Sequence, residues 1–224
     1  MQYDNASKIH IFDCDGVVLN SNFLKVDALK SALNQVGCPD SFINWAQKEF
    51  RENFGRTRAK HFETFMTYKG IPEYRLTKNL MLDAINIYSE HVKNLYCDCE
   101  VIRNTMDYII SISKKDKIYI VSASDEDELR EILPNKISLL KKKNIYGGPR
   151  SKIQNLKTVL TNNNVAINSH VSFYGDAIED AKASITTNIN FFGLTKFSAA
   201  PIDLIKFCDR NNLKYFETCD DIKN

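Results

Sequence analysis

Apolar and polar positions alternate along this chain with two different periods, and the periods divide it into regions. Residues 8–13 form a short apolar run, around Ile9, Ile11 and Phe12, that predicts a buried first strand. From Phe23 to Val36 the apolar residues Phe23, Val26, Leu29, Leu33 and Val36 recur every three or four positions, which is helical spacing. Gly37, Cys38 and Pro39 end that helix. Further helical patterns run over Phe42–Phe50, Thr57–Tyr68 and Leu76–Leu95, the last carrying Leu80, Ala84, Ile87 and Val92. The stretch 21–100 is therefore read as helices and loops alone.

Beyond it the pattern changes. Val101–Ile112 predicts a helix, and Lys117–Val121, rich in β-branched and aromatic residues, predicts a buried strand. Helices are expected over Glu126–Leu133, stopped by Pro134, and over Ser151–Leu160, Asp180–Ser184 and Pro201–Cys208, where Pro201 suits a first turn. Strands are expected over His170–Tyr174 and Asn190–Leu194. Strands alternating with helices imply a parallel sheet covered on both faces. The reading is an α/β protein: a Rossmann-like parallel-sheet core from residues 1–20 and 101–224, with an all-helical unit inserted at 21–100.

Three predicted strands end in polar groups at the edge where ligands of such sheets bind: Asp13 and Asp15, Ser122, and Asp176. In extended backbone Asp13 and Asp15 point the same way and Cys14 points away. Two carboxylates this close repel, so they call for a cation or a shared proton, and the crowding should push Asp15 towards holding a proton part of the time. Gly16 lets the chain turn beside them.

Composition narrows the chemistry. With 224 residues, 43% hydrophobic and 26% charged, the chain can bury one sizeable core with a smaller accessory unit. A formal charge of +2 is too small to favour nucleic acid, and the basic run Lys141–Lys143, without interleaved aromatics, reads as a solvated loop. No run reaches membrane-spanning length and no secretion signal leads the chain, so a cytoplasmic monomer or homodimer is expected, with no membrane partner. The six cysteines read as reduced, packed thiols, and Cys97, Cys99 and His91 lack convincing zinc spacing. Phe62, Phe65, Met66 and Trp45 read as the core of the helical insert, while His61 and His91 have no evident partner.

Four motifs in order resemble the haloacid dehalogenase-like superfamily of phosphohydrolases. They are Asp13-Cys14-Asp15-Gly16-Val17, Ile120-Val121-Ser122, Lys152 after Gly148-Pro149-Arg150-Ser151, and Gly175-Asp176-Ala177-Ile178-Glu179-Asp180. The resemblance covers nearly the whole chain, and the helical insert resembles the cap placed between motifs one and two. One departure is Asn20, where many relatives carry an acid before Ser21.

The resemblance implies a phosphatase for a small phosphomonoester, a sugar phosphate or phosphorylated acid, with Asp13 as nucleophile and Asp15 as acid and base. It implies Mg²⁺ held by Asp13, the Asp15 carbonyl and Asp176, with Asp180 binding through water or orienting Lys152, and Glu179 in reserve. Ser122, the Ala123 amide at a helix start, and Lys152 would hold the phosphate; Lys157 falls on another face. In the cap, Gly55-Arg56-Thr57-Arg58-Ala59-Lys60 is similar to segments of relatives that act on small phosphorylated metabolites; Arg58, then Arg56 and Lys60, are the candidates for an anionic part of the substrate. The competing readings are a phosphomutase of the same superfamily and a retired phosphatase serving as a binding or scaffold protein. A dehalogenase is disfavoured because relatives of that type lack the second Asp of the pair.

Overall fold

The computed structural model describes residues 7–69, 77–165 and 170–222. Among them six strands form one sheet: β1 (Ile9–Phe12), β2 (Lys117–Asp125), β3 (Ile145–Gly148), β4 (Val171–Gly175), β5 (Asn190–Leu194) and β6 (Lys214–Phe216). Their order is β3-β2-β1-β4-β5-β6, and every neighbouring pair is parallel. The order reverses at β1, between β2 on one side and β4 on the other. In such sheets ligands sit outside the carboxyl ends of the strands at the reversal. Phe12 pairs with Ile120 and Tyr174, so Asp13, Ser122 and Asp176 emerge together along that edge.

All four residues of β1 are buried, as a central strand covered on both faces requires. His10 is tolerated there because its Nδ1 lies 2.8 Å from the Tyr174 hydroxyl and its Nε2 3.3 Å from Asp116. Burial nonetheless lowers its pKa, against the pull of Asp116.

Between β1 and β2 the chain makes α1 (Asn22–Gln35), α2 (Asp40–Glu52), α3 (Arg58–Met66), α4 (Lys78–Asp98) and α5 (Arg103–Ile112). The helical spacing located these helices, although the expected start at Leu76 lies outside the described residues. The insert leaves and re-enters at adjacent points: Leu19 bridges Val101, Asn20 N donates to Glu100 O at 3.0 Å and Ile102 N to Val18 O at 2.8 Å. Phe42, Phe62, Phe65 and Tyr88 fill the cap, and Trp45 stacks on Tyr68 with ring centroids 4.1 Å apart. Met66, expected in that core, is on the surface.

The sheet is covered by α6 (Glu126–Lys136), α7 (Lys152–Asn162), α8 (Ile178–Thr187) and α9 (Pro201–Arg210). Pro134 does not stop α6, contrary to expectation. It stands in the last turn, where its missing donor costs one bond, and Ile137 N closes the turn on Leu133 O at 2.8 Å. Two strands were not foreseen: β3 carries two glycines, and β6 is a three-residue edge strand. Of the described cysteines, Cys97 is exposed and the other five are buried. No described helix is long and apolar enough to cross a membrane.

Candidate active site

Asp13 N donates to Tyr174 O at 2.8 Å, which carries the β1–β4 ladder one residue further and delivers the Asp13 carboxylate to the sheet edge. The chain then folds back tightly, Val18 N and Leu19 N both donating to Cys14 O at 2.9 and 2.8 Å. Gly16 makes this possible at φ +71°, and a methyl group there would collide with Asn22 and Asp176. Cys14 is buried in the core, as its alternate position predicts.

Two polar clusters result. In the first, Lys152, the opening residue of α7, donates to Asp13 Oδ2 at 2.8 Å and to Asp180 Oδ1. The other Asp180 oxygen accepts from Ala177 N at 3.1 Å, so both its oxygens are engaged. Asp176 Oδ2 accepts from Asn22 Nδ2 at 2.6 Å. In the second cluster Asp15 accepts from Lys25 Nζ (2.7 Å), Ser21 Oγ (2.6 Å), Ser124 Oγ (2.8 Å) and the Tyr96 hydroxyl (2.8 Å).

The charges of these groups do not balance. Among the described residues the buried lysines beside Asp13, Asp15, Asp176 and Asp180 are Lys25 and Lys152, so full ionisation of the four acids would leave two negative charges uncompensated. Burial and the neighbouring Asp180 push the Asp13 carboxyl up to about 7, against the pull of Lys152. Burial and Asp13 raise Asp176 as well, and burial raises Asp180. One oxygen from each of Asp13, Asp176 and Asp180 lies within 4.8 Å of the others. A hard divalent cation fits this all-oxygen donor set and this deficit of charge.

Asp15 departs from the sequence expectation. Burial would raise its pKa, but Lys25 and the surrounding hydroxyls overcome burial and hold it down to about 2. What decides it is Lys25, 2.7 Å from Asp15, an ammonium that the sequence reading did not assign to the site.

Ser122 is buried on β2, its Oγ accepting from Ser124 N at 3.1 Å. Ala123 lines the same cleft but does not begin a helix: β2 runs on to Asp125, through a register shift, and Asp125 caps α6 by accepting from the Asp127 and Glu128 amides.

From the cap, Gly55 at φ +91° rests on the core, where a Cβ would lie 3.1 Å from Glu179 Cβ and 3.5 Å from Lys152 Nζ. Arg56 and Arg58 line the cleft, and both already hold an acid. Arg56 pairs with Glu49 at 3.3 Å; Arg58 makes bonds of 3.0 and 2.9 Å to the two oxygens of Glu128 and one of 2.5 Å to Ser89. Lys60 is exposed, pairs with Glu63 at 3.3 Å and does not line the cleft. Glu179 pairs with Lys182 at 2.8 Å, and Lys157 faces solvent. His61, read as lacking a partner, is buried 3.4 Å from Glu49 and lines the cleft.

Sequence reasoning missed Ser21, Asn22, Lys25, Tyr96 and Ser124. A signal existed for two of them. Asn22 and Lys25 stand at helical spacing with Val26, Leu29 and Leu33, on the buried stripe, whereas Phe23, which was counted in that stripe, is exposed.

The sequence matches the haloacid dehalogenase-like hydrolases over residues 10–194. The chain belongs to this family. No curated protein matches the sequence. Among solved structures it is similar to a hydrolase from Pseudomonas syringae, at 17% identity and TM-score 0.73, over 95% of this chain and 94% of that one. It is also similar to a haloacid dehalogenase-like family hydrolase from Streptococcus pneumoniae, at 18% identity and TM-score 0.69, over 93% and 92% of the two chains. A third similar structure is described as a predicted phosphoglycolate phosphatase from Haemophilus somnus, at 17% identity and TM-score 0.71, over 84% and 85%. These likenesses show the fold: a parallel α/β core with a helical cap.

In this haloacid dehalogenase-like hydrolase Arg58 straps cap helix α3 to core helix α6, over the Tyr88 ring. A double-mutant cycle of Arg58→Ala and Glu128→Ala, read by urea unfolding, is expected to give a coupling energy of about 1–3 kcal/mol. A coupling near zero would show that the strap holds nothing.

Proposed function

We propose that this hydrolase is a Mg²⁺-dependent phosphatase acting on a small phosphomonoester, a sugar phosphate or phosphorylated acid, through an aspartyl phosphate on Asp13. The observation that carries the reading is the cluster of three buried carboxyls at the sheet edge, Asp13, Asp176 and Asp180, which share a single buried lysine, Lys152, and would carry two uncompensated negative charges when ionised. In this reading residues 1–20 and 101–224 are the catalytic core and 21–100 the specificity cap.

Asp13, Asp176 and the main-chain carbonyl of Asp15 would hold the cation, with Asp180 setting Lys152. Bound there, Mg²⁺ supplies neutralisation of the phosphoryl charge. Asp13 attacks phosphorus in line, the ester P–O bond breaks and the leaving oxygen takes a proton from Asp15. Asp15 rests as a carboxylate beside Lys25; an arriving phosphoryl dianion pushes its carboxyl upward, and it takes from solvent the proton it then gives to the leaving oxygen. After the alcohol leaves, the Asp15 carboxylate draws a proton from water, which attacks the aspartyl phosphate and releases phosphate. Ser122 and the Ala123 amide donate to phosphoryl oxygens, and Lys152 places a charge against both the phosphoryl group and Asp13. Arg56, His61 and the aromatic wall of Phe50, Phe54 and Tyr88 face the leaving group from the cap.

A panel of phosphorylated sugars and acids tests this. The expected result is phosphate release from a subset of the panel, lost with EDTA and restored by Mg²⁺. Positional isomers without phosphate release identify a mutase instead. No turnover, with no binding of beryllofluoride and Mg²⁺, identifies a binding protein.

A further inference from the structure

The first turn of α1 spends its polar side chains on the catalytic acids. Ser21, at the helix N-cap, makes no capping bond with its side chain and donates instead to Asp15. Asn22 follows and Lys25 lies one turn on, so one helix start reaches both Asp176 and Asp15.

Asn22 carries a further peculiarity. Its Nδ2 donates to Asp176 Oδ2 at 2.6 Å and to Phe197 O at 2.8 Å. Both partners are acceptors, so the orientation of the amide is fixed and both its protons are used. Its Oδ1 is buried and has no hydrogen-bond partner. A buried acceptor left bare is costly. What suits it is a donor that comes with the cation. A water on Mg²⁺ gives its oxygen to the metal and keeps two protons to donate, and Mg²⁺ commonly retains several waters.

We propose that Asn22 is a positioning residue of the cation site, its amide nitrogen fixing Asp176 and its amide oxygen receiving a water held by the cation. The inference rests on the Mg²⁺ reading above. It also explains why a methyl group at Gly16 is excluded: the backbone must pass close to the Asn22–Asp176 contact. The other bare buried oxygen among the described residues, Asn155 Oδ1, belongs to an amide that donates to Gly147 O and makes no bond to the four acids. It is the natural control.

Binding of Mn²⁺ to the full chain, followed by the electron paramagnetic resonance of the free ion, provides the test. Asn22→Ala and the equally branched Asn22→Leu are expected to weaken binding about 10- to 100-fold, while Asn155→Ala stays within about twofold of wild type. Equal affinity in wild type and the Asn22 variants overturns the proposal, as does equal weakening in Asn155→Ala. Wild-type protein that binds no Mn²⁺ overturns the metal reading itself, which separates the two failures. If neither Asn22 variant folds, the wild-type Asn22 side-chain amide resonances decide: they shift on Mg²⁺ addition if the proposal holds, and stay in place if it does not.

Discussion

Asp13→Asn is expected to lower phosphomonoester turnover by about 10³-fold or more, as removal of a nucleophile does when no neighbour can replace it. The amide keeps the shape and cannot attack phosphorus. Its effect on stability should run the other way. Burial and Asp180 push the Asp13 carboxyl up to about 7, so at pH 8 in EDTA its charge is forced on the folded state and opposes folding. The variant should therefore unfold at a urea concentration no lower than wild type under those conditions. Turnover surviving within tenfold of wild type would place the nucleophile elsewhere, and a marked loss of stability would show that the carboxylate is a structural anchor instead.

Lys152→Met is expected to be the most destabilising single change near the site. Lys152 is the cation shared by Asp13 and Asp180, and burial opposes its charge while the two acids hold it well above the ordinary lysine range. Removing one member of a buried ion pair costs roughly 3–5 kcal/mol, because the remaining charges lose their compensation. The loss should depend on pH with a definite sign. A carboxyl whose folded pKa is raised binds more protons in the native state than in the unfolded one, so metal-free protein loses stability as pH rises from about 4 to about 7. Without Lys152 that slope should steepen, and Mg²⁺ should restore part of the stability, since an ion binding only the folded state favours it. Urea unfolding at pH 5 and pH 8, with EDTA and with Mg²⁺, reads all of this. A loss below 1 kcal/mol at pH 8 would show that the acids protonate at little expense and that Lys152 is not their structural partner.

Much of the architecture was legible because burial writes itself into period. The β1 run and the stripe of α1 to α4 located their elements, and the Gly175-Asp176 step fell at the end of β4 as expected. What escaped has local causes. β3 carries Gly147 and Gly148, which show no β preference, and β6 is three residues on an edge. The continuation of β2 past Ser122 depends on pairing with β3, so its own residues did not reveal that Ala123 lies within the strand. In the cap, a basic cluster drew attention to Arg58, but the sequence does not show that Glu128, seventy residues on, already holds it.

Order and spacing along the chain determined the strands that carry Asp13, Ser122 and Asp176, the helix that opens on Lys152, and the helical insert between the first two strands. These follow from short-range regularities, since alternation and helical periodicity are properties of neighbours. The charge state of the site was decided only by the tertiary structure. Asp15 rests ionised because Lys25 lies 2.7 Å away across the first turn of α1, and Asp13 and Asp176 are raised because they share a buried edge with Asp180. Coulomb interactions depend on distance in space and on burial, and neither can be counted along a chain.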